Sequence, residues 1–398
     1  MFESLSSVPE DPILGVTTAF RRDSSADKVD LGVGVYRDDS GNTPVPAAVR
    51  AAEQAVLAAQ TSKTYLSPIG NPGFNDKMTE LVLGEVRQTR GAQAAAVQGP
   101  GGSGALRLGA ELLKISQPAT RLVVSDPTWA NHIPLLGGAG LPIDKHPYYS
   151  TRTHGVDFDA MHAALDRLPS GTAVVLHACC HNPSGADLTA AQWAMVAEVM
   201  SKRGLVPFLD LAYQGLAIDL QTDAAAIRLL AAKVPELLIA VSCSKNFGLY
   251  RERVGALIVV TPSAERTAIA TAHLGRIART LYSMPPDHGA AIVDRLLGDA
   301  ALKQQWIAEL AVMAARINGL RGQLAERLSA AAGSDFSWIK NHRGMFSKLD
   351  ATPAMVTALR DQHHIYLAPD GRMNIAGLRG DNVERVARAI AQVLRSAS

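Results

Sequence analysis

The chain has 398 residues, of which 47% are hydrophobic and 19% are charged, which is typical of a globular protein and not of a disordered one. The formal net charge is +2, from 39 basic and 37 acidic residues without a dense basic block, which argues against a nucleic-acid partner. The first residues carry acids and prolines where a signal peptide needs a basic start, and no apolar run approaches the roughly 20 residues that span a bilayer. We therefore expect no membrane partner, and the length predicts two domains.

The cysteine pattern bears on metal sites and on location. Cys179, Cys180 and Cys243 form no C-x-x-C pair, so the spacing predicts neither a metal site nor a redox site. Three cysteines are also an odd number, which does not suit a complete set of disulfides. A reducing, cytoplasmic location is expected.

The first hundred residues alternate between loops and helical patterns. Pro9 and Pro12 interrupt the opening segment to about Ala19, which is predicted to be an extended arm, and a frayed terminus fits equally well. The stretch KVDLGVGVYRDD then predicts a short strand and a loop with glycines where backbone can approach a ligand. An alanine-rich helix is predicted from Ala47 to Ala59, and the following loop, KTYLSPIGNPGF, carries Tyr65.

A glycine-rich turn, VQGPGGSGALRLGAELL, leads into a predicted helix, where backbone N–H groups can bind a phosphate. Its glycines Gly99, Gly101 and Gly104 also match the GxGxxG pattern of dinucleotide-binding proteins, with an acid, Asp126, about twenty residues later. The preceding RGAQAAAVQ is not a convincing first strand. This weakens the match to a dinucleotide-binding fold, but an NAD-dependent oxidoreductase stays open as an alternative.

From residue 121 onward, apolar runs alternate with helical patterns, which predicts a parallel sheet with helices on both faces. The predicted strands are RLVVSD, AVVLHACC, VPFLDLAYQG, LLIAVS and GALIVV. Ligands of such sheets bind at the carboxyl ends of the strands. The polar and aromatic residues at those ends are Trp129, Asn182, Asp210, Tyr213 and Lys245.

Lys245 lies in the stretch SCSKNFGLYRERVG, directly after the apolar run LLIAVS. Burial and nearby arginines both favour the neutral amine, which is a nucleophile toward carbonyl carbons. Ser242 and Arg253 would bind an anion beside it. An isolated lysine is usually a surface residue, but these neighbours favour a functional one.

This stretch resembles the lysine motif of class I aminotransferases of pyridoxal phosphate fold type I, in the aspartate and aromatic amino acid aminotransferase branch. The similarity extends over essentially the whole chain. It implies an α/β fold, with a mainly parallel sheet sandwiched by helices and a smaller α/β cap domain. It also implies the cofactor pyridoxal 5'-phosphate and a homodimer with shared active sites. The expected division is an N-terminal arm at 1–11, a large cofactor-binding domain at 45–312, and a small domain formed by 12–44 and 313–398.

The resemblance implies a role for each cofactor residue. Lys245 carries the cofactor and moves protons, Asp210 holds the ring nitrogen protonated, and Tyr213 and Asn182 donate to the phenolic oxygen. On pattern alone, Asp210 can equally cap the next helix, and a lone tryptophan such as Trp129, here expected to stack on the ring, is more often a core residue. The phosphate-binding positions implied are Gly102, Ser103, Ser242, Arg253 and, from the other subunit, Tyr65. His132 and His177 resemble residues that lie behind the corresponding carboxylate in this family and support it.

Two arginines are implied to bind the substrate, since a guanidinium matches a carboxylate bidentately. Arg372, in DGRMNIAGL, resembles the clamp for the α-carboxylate, and Arg279, in RTLYSMPPDHGA, resembles the side-chain clamp supplied by the neighbouring subunit. Gly34, with Trp129 and Asn182, borders the substrate in the resembled family.

The function implied is transfer of the α-amino group between an aromatic or acidic L-amino acid and 2-oxoglutarate, with ping-pong kinetics. A strict aspartate aminotransferase is the main alternative. A non-catalytic binding protein of the same fold is a further one, which loss of Lys245, Asp210 or Arg372 would have indicated. The residues expected to line the substrate site give a mixed indication of specificity. Val35, Arg37 and Thr43 resemble those of aspartate-preferring relatives, and Ser103 resembles that of aromatic-preferring relatives. Met284 departs from both, since asparagine or serine is usual there.

Overall fold

The structure is a computed structural model that describes residues 2–7 and 12–396. The α-helices are α1 Pro12–Arg22, α2 Ala47–Ala59, α3 Pro72–Leu83, α4 Val86–Arg90, α5 Gly101–Ser116, α6 His132–Gly137, α7 Phe158–Leu165, α8 Ala190–Arg203, α9 Ala225–Lys233, α10 Ala264–Leu281, α11 His288–Gly298, α12 Ala300–Ala332, α13 Pro353–His363 and α14 Val383–Ser396. The strands are β1 Val29–Asp30, β2 Ala94–Pro100, β3 Leu122–Asp126, β4 Ile143–Pro147, β5 Tyr149–Ser150, β6 Gly155–Val156, β7 Ala173–His177, β8 Val206–Leu211, β9 Leu237–Ser242, β10 Val254–Val260, β11 Phe346–Lys348, β12 Ile365–Tyr366 and β13 Arg372–Asn374. Short 3-10 helices lie at Phe2–Ser4, Gly91–Gln93, Thr222–Ala224, Ser337–Asn341 and Ile375–Gly377.

The main sheet has seven strands in the order β2-β10-β9-β8-β7-β3-β4. Strand β10 is antiparallel to both of its neighbours, and the other neighbouring pairs are parallel. Every residue of β7, β9 and β10 is buried, which explains their continuous apolar sequences, since helices cover both faces of such a sheet. The predicted α/β fold with a mainly parallel sheet is confirmed.

Helix α5 packs against strands β2, β10, β9 and β8 of this sheet. Its apolar side chains, among them Leu106 and Leu108, join a buried cluster with Phe208 of β8 and Leu257 of β10. A Cβ atom on Gly109 would lie 2.4 Å from Phe208 Cζ, so the glycine lets the helix approach the strand closely. This contact fixes the position of the helix and therefore of its N-terminus.

The chain divides into two compact units. The larger unit contains Pro44–Asn182 and Ala186–Ala315, and therefore the whole seven-stranded sheet. The smaller contains the described residues up to Thr43, Pro183–Gly185, and the described residues from Arg316 on, so α12 begins in one unit and ends in the other. The sequence-based domain boundaries stay a prediction.

The smaller unit is built around two short pairs of strands. Strand β1 pairs with β12 in parallel, and β11 pairs with β13 in antiparallel orientation. Helix α14 buries Val386 and Ile390 on one face. The described residues include no helix that is both long and apolar enough to cross a membrane.

The structure corrects the prediction of an extended segment up to about Ala19, because Pro12–Arg22 is a helix. Proline is well tolerated in the first turn of a helix, where its missing N–H leaves no hydrogen bond unmade. Phe20, near the end of α1, packs edge-on against Tyr366 with ring centroids 5.4 Å apart. Residues 8–11 of the predicted arm lie outside the described residues.

The doubt about a strand in RGAQAAAVQ was also wrong, because Ala94–Pro100 forms β2. Alanine has a low strand propensity, but here small side chains fit between the sheet and the helices packed on it. Strand β2 lies at the edge of the sheet and pairs with an antiparallel strand. In a dinucleotide-binding fold the strand before the glycine-rich turn lies inside a parallel sheet, so this arrangement does not match one.

Candidate active site

The neighbouring parallel strands β7, β8 and β9 have their carboxyl ends side by side at one end of the main sheet. In the pairing register, His177 of β7 lies beside Asp210 of β8, and Asp210 lies beside Ala240 of β9. Strand β9 ends at Ser242, three residues before Lys245. The sheet therefore brings Asp210 and the Lys245 loop to adjacent strand ends, as the alternating pattern predicted.

Asp210 is a buried carboxylate, only 6% exposed. Because a carboxylate can only accept, His132 Nε2 donates to Asp210 Oδ2 over 3.1 Å, while His132 Nδ1 hydrogen-bonds Thr128 Oγ1 at 2.7 Å. Burial acts to raise the pKa of Asp210, but the hydrogen bond and charge of His132, with the charge of Lys245, bring that pKa below its ordinary value. Asp210 is therefore ionised at neutral pH.

A column of rings continues behind this pair. The His177 ring lies 5.1 Å from the His132 ring and 4.6 Å from the His181 ring, and His181 stacks on Tyr148 at 4.0 Å. Burial lowers the pKa of His177 to about 3, so its imidazole is neutral. His181 also hydrogen-bonds Ser125 at 3.1 Å. These contacts brace the segment that follows β7.

Lys245 is half-buried, with its Nζ 4.9 Å from the centroid of the Tyr213 ring. The loop that carries it is fixed from behind, because Trp306 donates its ring N–H to the Asn246 carbonyl at 2.8 Å and stacks on Phe247 with centroids 4.3 Å apart. The lysine therefore projects from a braced loop toward the tyrosine.

The N-terminus of α5 lies against the Ser242 and Arg253 side chains. Gly101 has a φ of +73°, and a Cβ atom there would lie 2.6 Å from an Arg253 guanidinium nitrogen. A Cβ atom on Gly102 would lie 3.0 Å from Ser242 Cβ. With Ser103 in the first turn, the structure thus brings four predicted phosphate-binding residues to one helix N-terminus, which favours an anion.

Trp129 and Asn182 belong to the same unit. The Trp129 ring lies 5.3 Å from the His132 ring, edge to face, so it is next to the group that binds Asp210. Asn182 is buried, five residues after the end of β7. Both residues therefore lie near the strand ends that carry the predicted site.

Arg372 and Gly34 lie together in the smaller unit. Arg372 is buried, donates to the Gly32 carbonyl at 2.7 Å, and places its guanidinium 4.4 Å from the centroid of the Phe346 ring. A Cβ atom on Gly34 would lie 2.8 Å from Cζ of that same ring. Phe346 is thus a shared neighbour of the two predicted substrate-binding residues.

Tyr65 and Arg279 lie on an exposed surface of the larger unit, and Tyr65 is 86% exposed. The two segments are joined by a hydrogen bond from the Leu66 N–H to Met284 Sδ at 3.3 Å. Gln98 links them again, accepting from the Asn71 N–H and donating to the Pro286 carbonyl. The structure therefore brings Tyr65, Arg279 and Met284 onto one surface, unlike the buried group around Asp210.

Sequence reasoning missed several contributors. Asp223 accepts three backbone N–H bonds from residues 215, 217 and 218, and so fixes the turn after Tyr213. Its carboxyl and the thiols of Cys179 and Cys180 have ligand atoms within 4.8 Å of one another. Thr128, which hydrogen-bonds His132, lies in the loop before α6, where no helical spacing could have indicated it.

Comparisons with known proteins agree with this geometry. The pattern of the family "Aminotransferase class I and II" matches residues 26–390. The chain is 45% identical over 395 residues to the aromatic-amino-acid aminotransferase of Paracoccus denitrificans, which covers 99% of this chain and 100% of the relative. It is 40% identical over 396 residues to the aspartate aminotransferase of Escherichia coli (strain K12), with 99% and 100% covered.

A solved structure is also similar over its whole length. The aromatic-amino-acid aminotransferase from Burkholderia pseudomallei, covalently bound to pyridoxal phosphate, superposes with a TM-score of 0.96 at 44% identity, covering 99% of both chains. The sequence match, the two full-length relatives and this superposition agree with the resemblance predicted from the lysine motif. The chain therefore belongs to the class I and II aminotransferase family.

Proposed function

We propose that this chain transfers the α-amino group between an aromatic or acidic L-amino acid and 2-oxoglutarate, with pyridoxal 5'-phosphate as cofactor. Membership of the family makes it an aminotransferase. The observation that carries the proposal is the buried, ionised Asp210 one strand away from the loop of Lys245. The cytoplasmic location expected from the sequence remains a prediction.

The residues present fit this cofactor. A buried carboxylate kept ionised by His132 suits a protonated ring nitrogen, and the N-terminus of α5 with Ser242 and Arg253 suits a phosphate. The glycines at 101 and 102 keep that anion site open, because a side chain there would meet Arg253 or Ser242. When bound, the cofactor supplies an electron sink for the substrate α-carbon.

Around that group, each side chain has a distinct role. Lys245, whose amine lies over the Tyr213 ring, would take the proton from the substrate α-carbon and deliver it to the cofactor carbon in the same half-reaction, and the second half-reaction would run this transfer backward with another oxo acid. Tyr213 and Asn182 would donate hydrogen bonds to the phenolic oxygen of the cofactor, and Trp129 would provide a flat face for its ring. Asp210 stays charged throughout.

Substrate binding draws on carboxylate recognition. Arg372 binds the α-carboxylate, which amino and oxo acids share, and Gly34 leaves room beside it. Arg279 and Tyr65 are exposed on one surface of the larger unit, and we place that surface against a partner subunit in a homodimer, where Arg279 reaches the substrate side chain and Tyr65 the phosphate of the other site.

The side chains on this surface also indicate the class of substrate. Arg279 suits the second carboxylate of aspartate, glutamate and 2-oxoglutarate. Met284, fixed next to the Tyr65 loop, adds a flexible and polarizable side chain that suits an aromatic ring. The alternative, a strict aspartate aminotransferase, is favoured by the relatives of that name at 40–41% identity.

A panel of amino donors with 2-oxoglutarate tests the proposal. We expect turnover with aspartate, tyrosine and phenylalanine, and loss of nearly all turnover in Lys245→Ala. Arg279→Leu should lower kcat/KM for aspartate by about tenfold or more, since a charge-assisted bond is worth roughly 1.5 to 3 kcal/mol, and should change phenylalanine much less.

Two results would contradict it. A parent enzyme that ignores aromatic donors supports the strict aspartate aminotransferase. Full activity of Lys245→Ala removes the aminotransferase mechanism assigned to this site.

A further inference from the structure

Arg321, on α12 in the smaller unit, is only 1% exposed. Its guanidinium donates to the carbonyl of Phe346 at 3.1 Å and to the hydroxyl of Ser347 at 2.6 Å, and also to the carbonyl of Gly344. These acceptors span the start of β11. The buried arginine therefore holds this strand from one side.

Strand β11 in turn holds the residues around Arg372. Phe346 pairs with Asn374 and Lys348 pairs with Arg372 in the two-stranded sheet. The Phe346 ring lies under the Arg372 guanidinium, 4.4 Å from centroid to Cζ, and fills the space next to Gly34. A shift of β11 therefore moves both the ring and the strand partner of Arg372.

The chemistry of the arginine suits this task. A guanidinium presents a planar set of N–H donors, so one side chain can bind several acceptors of a bent segment at once. Gly344 has a φ of +72°, which marks the bend where the chain enters β11. Removing the donors leaves buried carbonyl groups without those bonds, and the segment has to move to recover them.

We propose that Arg321 is a positioning residue for the carboxylate clamp. It fixes β11, which sets the place of the Phe346 ring and, through the ring and the strand pairing, the orientation of Arg372. The inference rests on the proposed role of Arg372 in binding the α-carboxylate. Every amino or oxo acid substrate carries that group, so the effect is the same for acidic and aromatic substrates.

The test compares Arg321→Met, Arg321→Lys and Ser347→Ala with two reference variants. Arg327→Met makes the same chemical change on the same helix, where Arg327 pairs with Glu384 of α14 instead of β11. Arg372→Ala removes the clamp itself. In each holoenzyme, the Kd of 3-phenylpropionate, a carboxylate without an amine, is measured by absorbance titration of the cofactor.

We expect Arg321→Met to raise the Kd about tenfold, Arg321→Lys and Ser347→Ala to raise it less, and Arg327→Met to leave it unchanged. The KM values for phenylalanine and 2-oxoglutarate should rise by the same factor as each other. The cofactor absorbance without ligand should stay as in the parent, because Asp210 and Lys245 belong to the larger unit. Arg372→Ala should raise the Kd most.

Each other outcome overturns a specific statement. An unchanged Kd in folded Arg321→Lys and Ser347→Ala, with a raised Kd in Arg372→Ala, removes the role of Arg321 and leaves the proposed function standing. The role of Arg321 is likewise removed if kcat falls and the Kd does not change. An unchanged Kd in Arg372→Ala removes the clamp itself. If Arg321→Met does not fold, Arg321→Lys and Ser347→Ala decide the question.

Discussion

Asp210 stays ionised although it is buried, because it accepts a hydrogen bond from His132. The other ring nitrogen of His132 hydrogen-bonds Thr128. Burial alone would favour the neutral acid, so the histidine decides the protonation state. His177 behind it remains neutral because burial, together with the charge of His132, lowers its pKa by more than the charge of Asp210 raises it. Two similar residues thus have different roles because only His132 hydrogen-bonds the carboxylate.

Replacing Asp210 with Asn tests this role. The amide keeps the size of the side chain but has no negative charge to hold a ring nitrogen protonated. We expect the variant to fold, and to lose proton transfer by about a hundredfold or more, measured in single-turnover absorbance experiments with the amino donor. A normal single-turnover rate would make Asp210 a purely structural residue.

Asp223 gives the protein a pH-dependent stability. Burial raises the pKa of Asp223 to about 6 in the folded state, against an ordinary value of 3.8. The folded protein therefore binds this proton more tightly than the unfolded chain does, so the stabilisation is present at low pH and is lost as the pH rises through 6. Asn does not titrate, so Asp223→Asn removes this dependence.

We expect the free energy of unfolding of the parent, minus that of Asp223→Asn, to fall by roughly 1 kcal/mol between pH 5 and pH 7. Urea denaturation at several pH values measures this difference. The hydrogen bonds that the substitution breaks lower stability equally at each pH, so they do not contribute to the change. A difference that stays constant with pH would show that Asp223 does not titrate in this range.

At the scale of elements, the start of α5 combines a helix N-terminus with two glycines, and any residue with a side chain at either position would collide with a neighbouring side chain. Gly101 takes a positive φ and lies against Arg253, and Gly102 lies against Ser242. The element is therefore shaped as much by Ser242 of β9 and by Arg253, directly before β10, as by its own sequence.

Gly101→Ala and Gly140→Ala form a matched pair for this feature. The two glycines have φ values of +73° and +79°, but only Gly101 has a neighbour within 4 Å of an added Cβ. Both substitutions should lower stability by roughly 1 to 2 kcal/mol through backbone strain. Only Gly101→Ala should also displace Arg253 and raise the Kd for pyridoxal phosphate about tenfold, measured by titration of the apoenzyme. Equal cofactor affinity in the two variants would contradict the anion site.

The sequence was sufficient to predict those elements whose own residues indicate whether they are buried. Buried strands such as β7 and β9 are continuously apolar, and their ends, with Asp210 and Lys245, could be located from that signal alone. Strand β2 was not recognised because its alanines have little strand propensity, and its pairing with β10 decides its structure. Phe346 was missed because its contacts with Gly34 and Arg372 join distant parts of the chain, which no local pattern encodes.

At the scale of the whole molecule, the exposed surface with Tyr65, Arg279 and Met284 is the part of the larger unit that the proposed dimer uses. Its two segments are tied together by the bond between Leu66 and Met284, so they would meet a partner as one body. The proposed homodimer would thereby be required for activity and not only for stability.

Mixing two variants that are each impaired with aspartate tests the shared sites. Lys245→Ala and Arg279→Ala should each have little activity with aspartate, and a mixed dimer should contain one site with both residues intact. We expect activity with aspartate to return in part after subunit exchange, which mass spectrometry of differently tagged subunits can verify. Exchange without recovery would mean that Arg279 acts in the site of its own subunit, or in no site.

The division of the smaller unit along the chain has a consequence for biosynthesis. Val29 of β1 pairs with Ile365 of β12, while all seven strands of the main sheet lie between residues 94 and 260. On the ribosome, the residues of the main sheet leave the exit tunnel together, and they can begin to pair during translation. Strand β1 emerges earlier than any of them, yet its partner is among the last segments to be made, so the first strand synthesised is one of the last to pair.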